Sequence, residues 1–208
     1  MKRKNGHKNR KVSQEGLANL LYQVLETEQG GVLVYRTALQ CAVNDELREE
    51  WKSYLTETEH HVEVARTMLE KLGLDPDVEL PGREIVRHIG KSLVAAMEKA
   101  RGAGKPEQAQ LVAAECVVEA ETKDHLNWEL VGMLAEQLTG DAAAALTEAH
   151  DEVMKDEEHH LYHTKGWARE LWLESLGMPA VLPPPEEEKN VETAIGAERA
   201  KNARGDML

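Results

Sequence analysis

Two short clusters of acids and histidines fall inside long helical patterns of this sequence. One cluster reads DEEHH and starts at Asp156, and the other reads ETEHH and starts at Glu57. Each contains a carboxylate three residues before a histidine, Glu57 with His60 and Glu157 with His160. Residues three apart lie on one face of a helix, about a turn apart. A carboxylate and an imidazole placed in this way can hold a metal ion from one side.

Two isolated glutamates offer the other side of such an ion. Glu28 interrupts an apolar stripe with helical spacing, and a lone carboxylate buried in such a stripe needs a partner. Glu121 occupies the matching place in a short internal repeat, in which VLETE is followed after six residues by Tyr35 and VVEAE by Trp128. The repeat predicts two similar helical hairpins, each contributing one inward-facing glutamate.

Counting residues from the predicted turns tests whether these groups can meet. Glu157 lies about 17 residues beyond the turn at 139–140, and about 17 residues before that turn the chain reaches Glu121. The same count from Glu57 ends about four residues from Glu28, an offset of about 6 Å along the helix axis. The counting favours Glu157 with His160 as the metal-binding pair of the DEEHH cluster.

Two ligand assignments stay open on the sequence alone. His60 points away from the apolar stripe of its helix and His61 points nearer to it, so that either histidine can be the ligand. Glu119 also borders the core and competes with Glu121. The groups that can act as alternative ligands, or can hydrogen-bond the ligands from outside, are Glu119, His125, Tyr35 and His163.

The apolar periodicity predicts an all-α fold, since no segment alternates like a β-strand. Short turns make the first two and the last two long helices antiparallel hairpins, and residues 75–105 are long enough to cross between them. We expect an up-down-down-up four-helix bundle over 14–176, with a short helix in the crossover. The helices are predicted over 14–43, 46–72, 83–101, 106–138 and 141–176.

Two flanking segments are predicted to lie outside the bundle. The basic start of the chain is expected to be a disordered tail over 1–13. Residues 177–208 are expected to form a Pro-rich extended arm, with the run Glu186–Glu188 in solvent. Within this arm, 191–203 is predicted either to form a short helix or to stay disordered.

Charge and composition exclude several other classes of protein. The net charge of −13 would repel nucleic-acid phosphates. No apolar run approaches the length of a membrane span, and the N-terminal MKRKNGHKNRK lacks the apolar core of a secretion signal. Two cysteines do not make a disulfide framework, which favours a reducing compartment. We therefore expect a cytoplasmic protein that binds neither membrane nor nucleic acid.

The ligand pattern resembles that of the ferritin-like di-iron carboxylate proteins, in which two helices each supply a Glu and two others each supply Glu-x-x-His. The string DEEHHL is similar to the last helix of bacterioferritins. Glu28, followed seven residues later by Tyr35, is similar to the first helix of bacterioferritins and rubrerythrins. The resemblance spans 14–176. It implies that Glu57 and Glu157 bridge two ions and that the other metal ligands are Glu28, His60 or His61, Glu121 and His160.

The same resemblance implies a function. Two iron ions, or alternatively manganese or a mixed Fe/Mn pair, would react with O₂ or peroxide in an oxidase, hydroxylase or peroxidase. The substrate would be an unknown small molecule. The chain lacks the paired Cys-x-x-Cys motifs of the rubrerythrin iron–sulfur module, so the electron donor would be a separate partner.

Two other functional classes remain as alternatives. One is a non-catalytic metal-binding or iron-storage ferritin-like protein. The other is a metal-free bundle in which the acids simply pair with the histidines. An apolar face formed by Trp167, Trp172 and Leu173 is expected to pack against the C-terminal arm or against a second subunit in a homodimer.

Overall fold

A computed structural model describes residues 12–208 of the chain. Over these residues the protein is all-helical and has no β-strand, as the periodicity predicts. The predicted tail over 1–13 falls almost entirely outside the described residues. The helices are α1 (Gln14–Ala38), α2 (Asp45–Lys71), α3 (Pro81–Gly102), α4 (Pro106–Ala135), α5 (Asp141–Ser175), α6 (Pro185–Glu188) and α7 (Ala194–Ala203), followed by a 3₁₀ turn at Arg204–Asp206.

The helix ends follow from local chemistry. The side chains of Ser13 and Asn44 accept hydrogen bonds from the first turns of α1 and α2. Helices α3 and α4 each begin at a proline. A backbone N–H in the first turn has no partner within the helix, so that its absence in proline costs no hydrogen bond. Helix α1 ends at Ala38 and not at the predicted residue 43. The side chain of Gln110 accepts from the backbone N–H groups of residues 43 and 44, at 2.6 Å each, and holds this segment as a turn.

Helices α1 and α2 pack against each other, as do α4 and α5, and further contacts join α1 to α4 and α2 to α5. Helix α3 lies on α1 and α4. Its Arg83 donates to the buried carboxylate of Glu26 at 3.0 Å, and Arg87 donates to both oxygens of the same carboxylate, at 2.7 and 2.8 Å. The buried ion pair of Arg83 with Glu26 fixes the crossover helix α3 on the face of α1.

The apolar core is divided into two clusters along the length of the long helices. One cluster contains Trp51 and Trp167 and lies at the end where α1 turns into α2. The other contains Trp128 and Leu21 and lies at the opposite end. Glu28, His61, Glu121, Glu157 and His160 fall between these clusters, so that a polar layer is enclosed by apolar side chains on both sides.

The C-terminal segment differs from the prediction of an extended arm with a solvated acidic run. It forms α6 and α7, which pack against α5. Helix α7 lies within 191–203, so that the short helix, one of the two alternatives predicted there, is confirmed. Glu186 is only 2% exposed, because the guanidinium of Arg169 donates to both of its carboxylate oxygens at 2.7 and 2.8 Å. The prediction that this glutamate lies in solvent was wrong.

The predicted apolar face of α5 is divided between two environments. Trp167 is buried beneath the C-terminal segment, whereas Trp172 stays 43% exposed and donates to Glu115. Among residues 12–208, no helix combines the length and the apolar character that crossing a membrane requires.

Candidate metal centre

Six titratable side chains meet in the polar layer between the two apolar clusters, and none is more than 4% exposed. Each carries a buried oxygen or nitrogen atom that has no hydrogen-bond partner among residues 12–208. Unsatisfied groups of this kind are costly in a protein interior and indicate a missing partner. The six are Glu28 on α1, His61 on α2, Glu121 and Asp124 on α4, and Glu157 and His160 on α5.

Five of these side chains form two triads that share Glu157. In one triad Glu28, His61 and Glu157 bring a ligand atom each within 4.8 Å of one another, and in the other Glu121, Glu157 and His160 do the same. His61 Nδ1 lies 3.8 Å from Glu28 Oε2, and His160 Nδ1 lies 3.6 Å from Glu121 Oε2. The Oε1 atom of Glu157 lies 3.1 Å from the first Nδ1, without hydrogen-bond geometry, and 3.8 Å from the second. The shared carboxylate therefore stands between two potential ion positions.

The two imidazoles are oriented by carboxylates on their outer side. Asp156 Oδ2 lies 3.3 Å from His61 Nε2, and Glu57 Oε2 lies 2.6 Å from His160 Nε2. Each outer carboxylate comes from the opposite helix and occupies the Nε2 atom of the ring. This leaves Nδ1 directed into the cluster, which is the orientation that a carboxylate commonly imposes on a metal-binding histidine.

Two aromatic residues hold the glutamates in a reciprocal way. The indole N–H of Trp128 donates to Glu28 Oε1 at 2.7 Å, and the hydroxyl of Tyr35 donates to Glu121 Oε1 at 2.7 Å. Trp128 follows Glu121 by seven residues and Tyr35 follows Glu28 by seven, so each hairpin supplies the donor for the glutamate of the other. The internal repeat thus corresponds to a structural equivalence around the site.

The two hairpins differ at two of their equivalent positions, and at each of these only the second hairpin has a carboxylate. Three residues after Glu121 stands Asp124, but three residues after Glu28 stands Gly31. Three residues before His160 stands Glu157, whereas the matching residue before His61 is Thr58. Gly31 and Thr58 face each other closely, since a Cβ on the glycine would lie 3.1 Å from the threonine methyl. Both extra carboxylates therefore come from the second hairpin.

Burial and mutual repulsion raise the pKa values of the acids in this cluster. Burial is the largest cause for Glu28, followed by the charges of Asp124 and Glu157. The pKa of Asp124 is raised by burial and then by Glu157 and Glu121. Burial and Glu121 likewise raise the pKa of Glu157. These shifts indicate more negative charge than the surrounding protein neutralises.

The pKa values of the two histidines are raised as well, and for a histidine a raised pKa favours the charged form. Burial by itself would lower the pKa of His160, but Glu121 and Glu57 outweigh it and raise the pKa well above 6.5. Burial would also lower the pKa of His61, but the carboxylates of Asp156 and Glu157 outweigh this effect and raise the pKa. Without a metal, the cluster therefore compensates its carboxylates by holding protons.

The structure separates the alternatives that the sequence left open. His61 lies in the cluster, whereas His60 is 57% exposed and pairs with Glu152 at 2.8 Å. Glu121 lies in the cluster, whereas Glu119 is exposed on α4. Glu57, predicted to bridge two ions, contacts the outer nitrogen of His160 and is 35% exposed. It is therefore outside the set of carboxylates that face the centre.

Two other predicted histidines lie apart from the cluster. His125 is buried beside the ring of Tyr162, and its nearest carboxylate is that of Glu129, at 3.9 Å. His163 belongs to a separate group of side chains near α6.

Asp124 is the member of the cluster that the sequence reasoning missed. It follows Glu121 by three residues, the same one-turn spacing that drew attention to Glu157 and His160. The same spacing rule, applied to pairs of acids on α4, would have found it.

Comparison of the chain with protein-family models, with curated proteins and with solved structures finds no match. The interpretation of the site therefore depends on its geometry and chemistry.

The metal-free protein is expected to lose stability as pH rises from about 6.5 to about 9. The pKa values of His61, His160 and His163 are all raised by folding, and that of His163 reaches about 9, since Glu187 and Glu50 outweigh the effect of burial. A group with a raised pKa contributes its full stabilisation below its unfolded pKa and loses it as pH passes the folded value. The expected loss, measured by calorimetry after chelation, is on the order of a few kcal/mol.

A His163→Gln variant provides the comparison for this experiment. It should lose less stability than the parent over the same pH interval, because one of the three contributing histidines is gone. Equal slopes in the two proteins, or a melting temperature that rises with pH, would contradict the assignment.

Proposed function

We propose that this chain is a ferritin-like di-metal carboxylate protein with an up-down-down-up four-helix bundle. The direction of the helices follows from the order of their contacts. Glu28 meets Trp128 and Tyr35 meets Glu121, so α1 and α4 run antiparallel. Contacts between α2 and α5 run in opposite order as well, with Glu50 near Trp167 and Lys71 near Glu148. With a hairpin on each side, these pairs fit the proposed topology.

The observation that carries the proposal is the set of six buried side chains with unpartnered ligand atoms. Four carboxylates and two imidazoles match the donors of a di-iron carboxylate centre, and four negative charges balance two divalent ions. Glu157 would bridge the ions. Glu28 with His61 would hold one ion, and Glu121 with His160 would hold the other. Asp124 supplies the fourth carboxylate, in place of one from α2.

Iron is the metal that this donor set suits, with manganese or a mixed Fe/Mn pair as alternatives. When bound in the reduced state, two such ions would supply the electrons for a reaction with O₂ or a peroxide, and an external donor would then reduce them again. The protein's own groups hold the ligands in place: Trp128 and Tyr35 bind the glutamates, and Asp156 and Glu57 bind the outer imidazole nitrogens. The apolar clusters above and below exclude water from the layer. We propose an oxidoreductase that acts on a small molecule and takes electrons from a separate donor.

Metal analysis of protein produced in iron-supplemented medium tests this function. We expect about two ions per chain, oxidation of Fe²⁺ in air, and ligation by the six named residues in an anomalous map at the iron edge. Less than one ion per chain would overturn the proposal and favour a bundle in which pairs such as His160 with Glu57 suffice. Loading far above two irons per chain, in a large assembly on chromatography, would favour iron storage.

A further inference from the structure

A second cluster of potential metal ligands lies between α2, α5 and α6, apart from the six residues of the candidate centre. It contains Glu50, His159, His163 and Glu187. Ligand atoms of Glu50 and the two histidines lie within 4.8 Å of one another. His163 Nδ1 is 2.8 Å from Glu187 Oε1 and 3.5 Å from Glu50 Oε1. Two imidazoles and two carboxylates thus converge on one small volume.

The orientation of His163 favours a ligand role. Its side chain is 1% exposed, and its Nε2 atom lies 2.8 Å from the carbonyl oxygen of Val191. A carbonyl can only accept, so Nε2 must carry the hydrogen. The other nitrogen, Nδ1, faces the two carboxylates, and within the described part of the chain it has no hydrogen-bond partner with suitable geometry. A backbone carbonyl on one nitrogen and a metal on the other is a common arrangement for a histidine ligand.

The second histidine is placed by the helix itself. His159 and His163 are four residues apart on α5, and their rings stack with centroids 3.6 Å apart. Because an imidazole nitrogen binds a metal in the plane of its ring, the half-buried ring of His159 would turn out of this stack to share an ion with His163. Histidines at this spacing on one helix face can bind one zinc ion together.

The two carboxylates are held close to each other, at a separation where two negative charges would repel. The indole N–H of Trp167 lies 3.1 Å from Glu50 Oε2 and also 3.1 Å from Glu187 Oε1. The hydroxyl of Tyr54 donates to Glu50 as well. The carboxylates of Glu50 and Glu187 are only 13% and 19% exposed, so water does little to separate their charges. Such a pair requires a cation between its members, either protons or a metal ion.

We propose that Glu50, His159, His163 and Glu187 form a third metal site, which binds a single Zn²⁺ ion independently of the di-metal centre. Two nitrogen and two oxygen donors supply the four ligands of a tetrahedral zinc ion, which accepts both imidazole and carboxylate. No bridging carboxylate connects this set to Glu28 or Glu121. The ion would hold α6, which carries Glu187, against α2 and α5, and would thereby fasten the C-terminal segment.

Zinc stoichiometry of the full-length chain tests the proposal. Chelator-treated protein is titrated with Zn²⁺ alone, and bound metal is counted after removal of the excess. We expect Glu187→Gln and His163→Ala to bind one ion per chain fewer than the parent. The matched controls are Glu188→Gln and His88→Ala, which alter exposed residues nearby and elsewhere and should bind as many ions as the parent.

The difference of one ion keeps this test separate from that of the di-metal centre. If both proposals hold, the parent binds three zinc ions and the variants two; if only the third site exists, the numbers are one and none. Equal stoichiometry in the parent and both variants would overturn the third site. Zn²⁺ should also slow amide hydrogen exchange at Val191 in the parent and not in Glu187→Gln, whose conservative change preserves the shape of the side chain. Identical zinc effects on exchange in both proteins would contradict the fastening role.

Discussion

Replacing Glu157 with glutamine is expected to remove both ions of the proposed centre and to stabilise the metal-free protein. Glu157 is the carboxylate shared by the two triads, so that its loss deprives each ion position of a ligand. The same carboxylate is 1% exposed among other acids, and burial with Glu121 raises its pKa. A neutral amide of equal size relieves that repulsion. We expect a gain on the order of 1 kcal/mol in the free energy of unfolding without metal.

The iron content of the protein as produced measures the first effect. Calorimetry of the protein after removal of metal with a chelator measures the second. The neighbouring Glu158→Gln is the matched control, because Glu158 belongs to neither triad, and it should change neither quantity much. Full iron loading of Glu157→Gln would show that another group bridges the ions. Loss of iron together with a large loss of stability would indicate a structural carboxylate.

Replacing Asp124 with asparagine is expected to weaken metal binding about 100-fold or more, which exceeds the effect of removing an outer hydrogen-bonding partner. Asp124 is 4% exposed, has an unpartnered Oδ1, and raises the pKa of Glu28 through its charge. The contrast is with Glu57→Gln, which removes only a contact to the outer nitrogen of His160 and should cost about 10-fold.

Titration of Fe²⁺ into each chelated variant without oxygen compares these two carboxylates directly. Glu119→Gln, an exposed change on the same helix as Asp124, should bind iron like the parent. If Glu57→Gln loses an ion and Asp124→Asn does not, then Glu57 is the fourth carboxylate ligand and the resemblance to Glu-x-x-His on α2 holds in full.

The helices and half of the site could be predicted because their signals are local. Apolar spacing indicates which face of each helix is buried, so a glutamate within that face, such as Glu28, must be part of an interior site. A count from a tight turn then places Glu157 opposite Glu121. On α2 the repeated letters ETEHH suggested Glu57 with His60. The apolar stripe of α2 indicated His61 as the alternative to His60, and the buried face does include His61 together with Thr58. The register of a helix is set by its packing partners and not by a motif.

The C-terminal segment could not be predicted for a different reason. Its burial depends on the pairing of Arg169 with Glu186 and on the contact of His163 with the carbonyl of Val191. Both contacts join residues that are far apart along the chain. The composition of a Pro- and Glu-rich stretch therefore cannot predict them. An acidic run is solvated unless a specific cation meets it, and the cation lies on another helix.

The reciprocal bonds of Trp128 to Glu28 and of Tyr35 to Glu121 have a consequence for assembly of the chain. In a hairpin made of α1 and α2 alone, Glu28 would either stay in water or be buried without its donor, and the same holds for Glu121 in a hairpin of α4 and α5. Each unsatisfied carboxylate costs about 1–3 kcal/mol or more. Neither half can therefore form its part of the polar layer before the other half has docked, and the two halves should unfold together in a single cooperative transition.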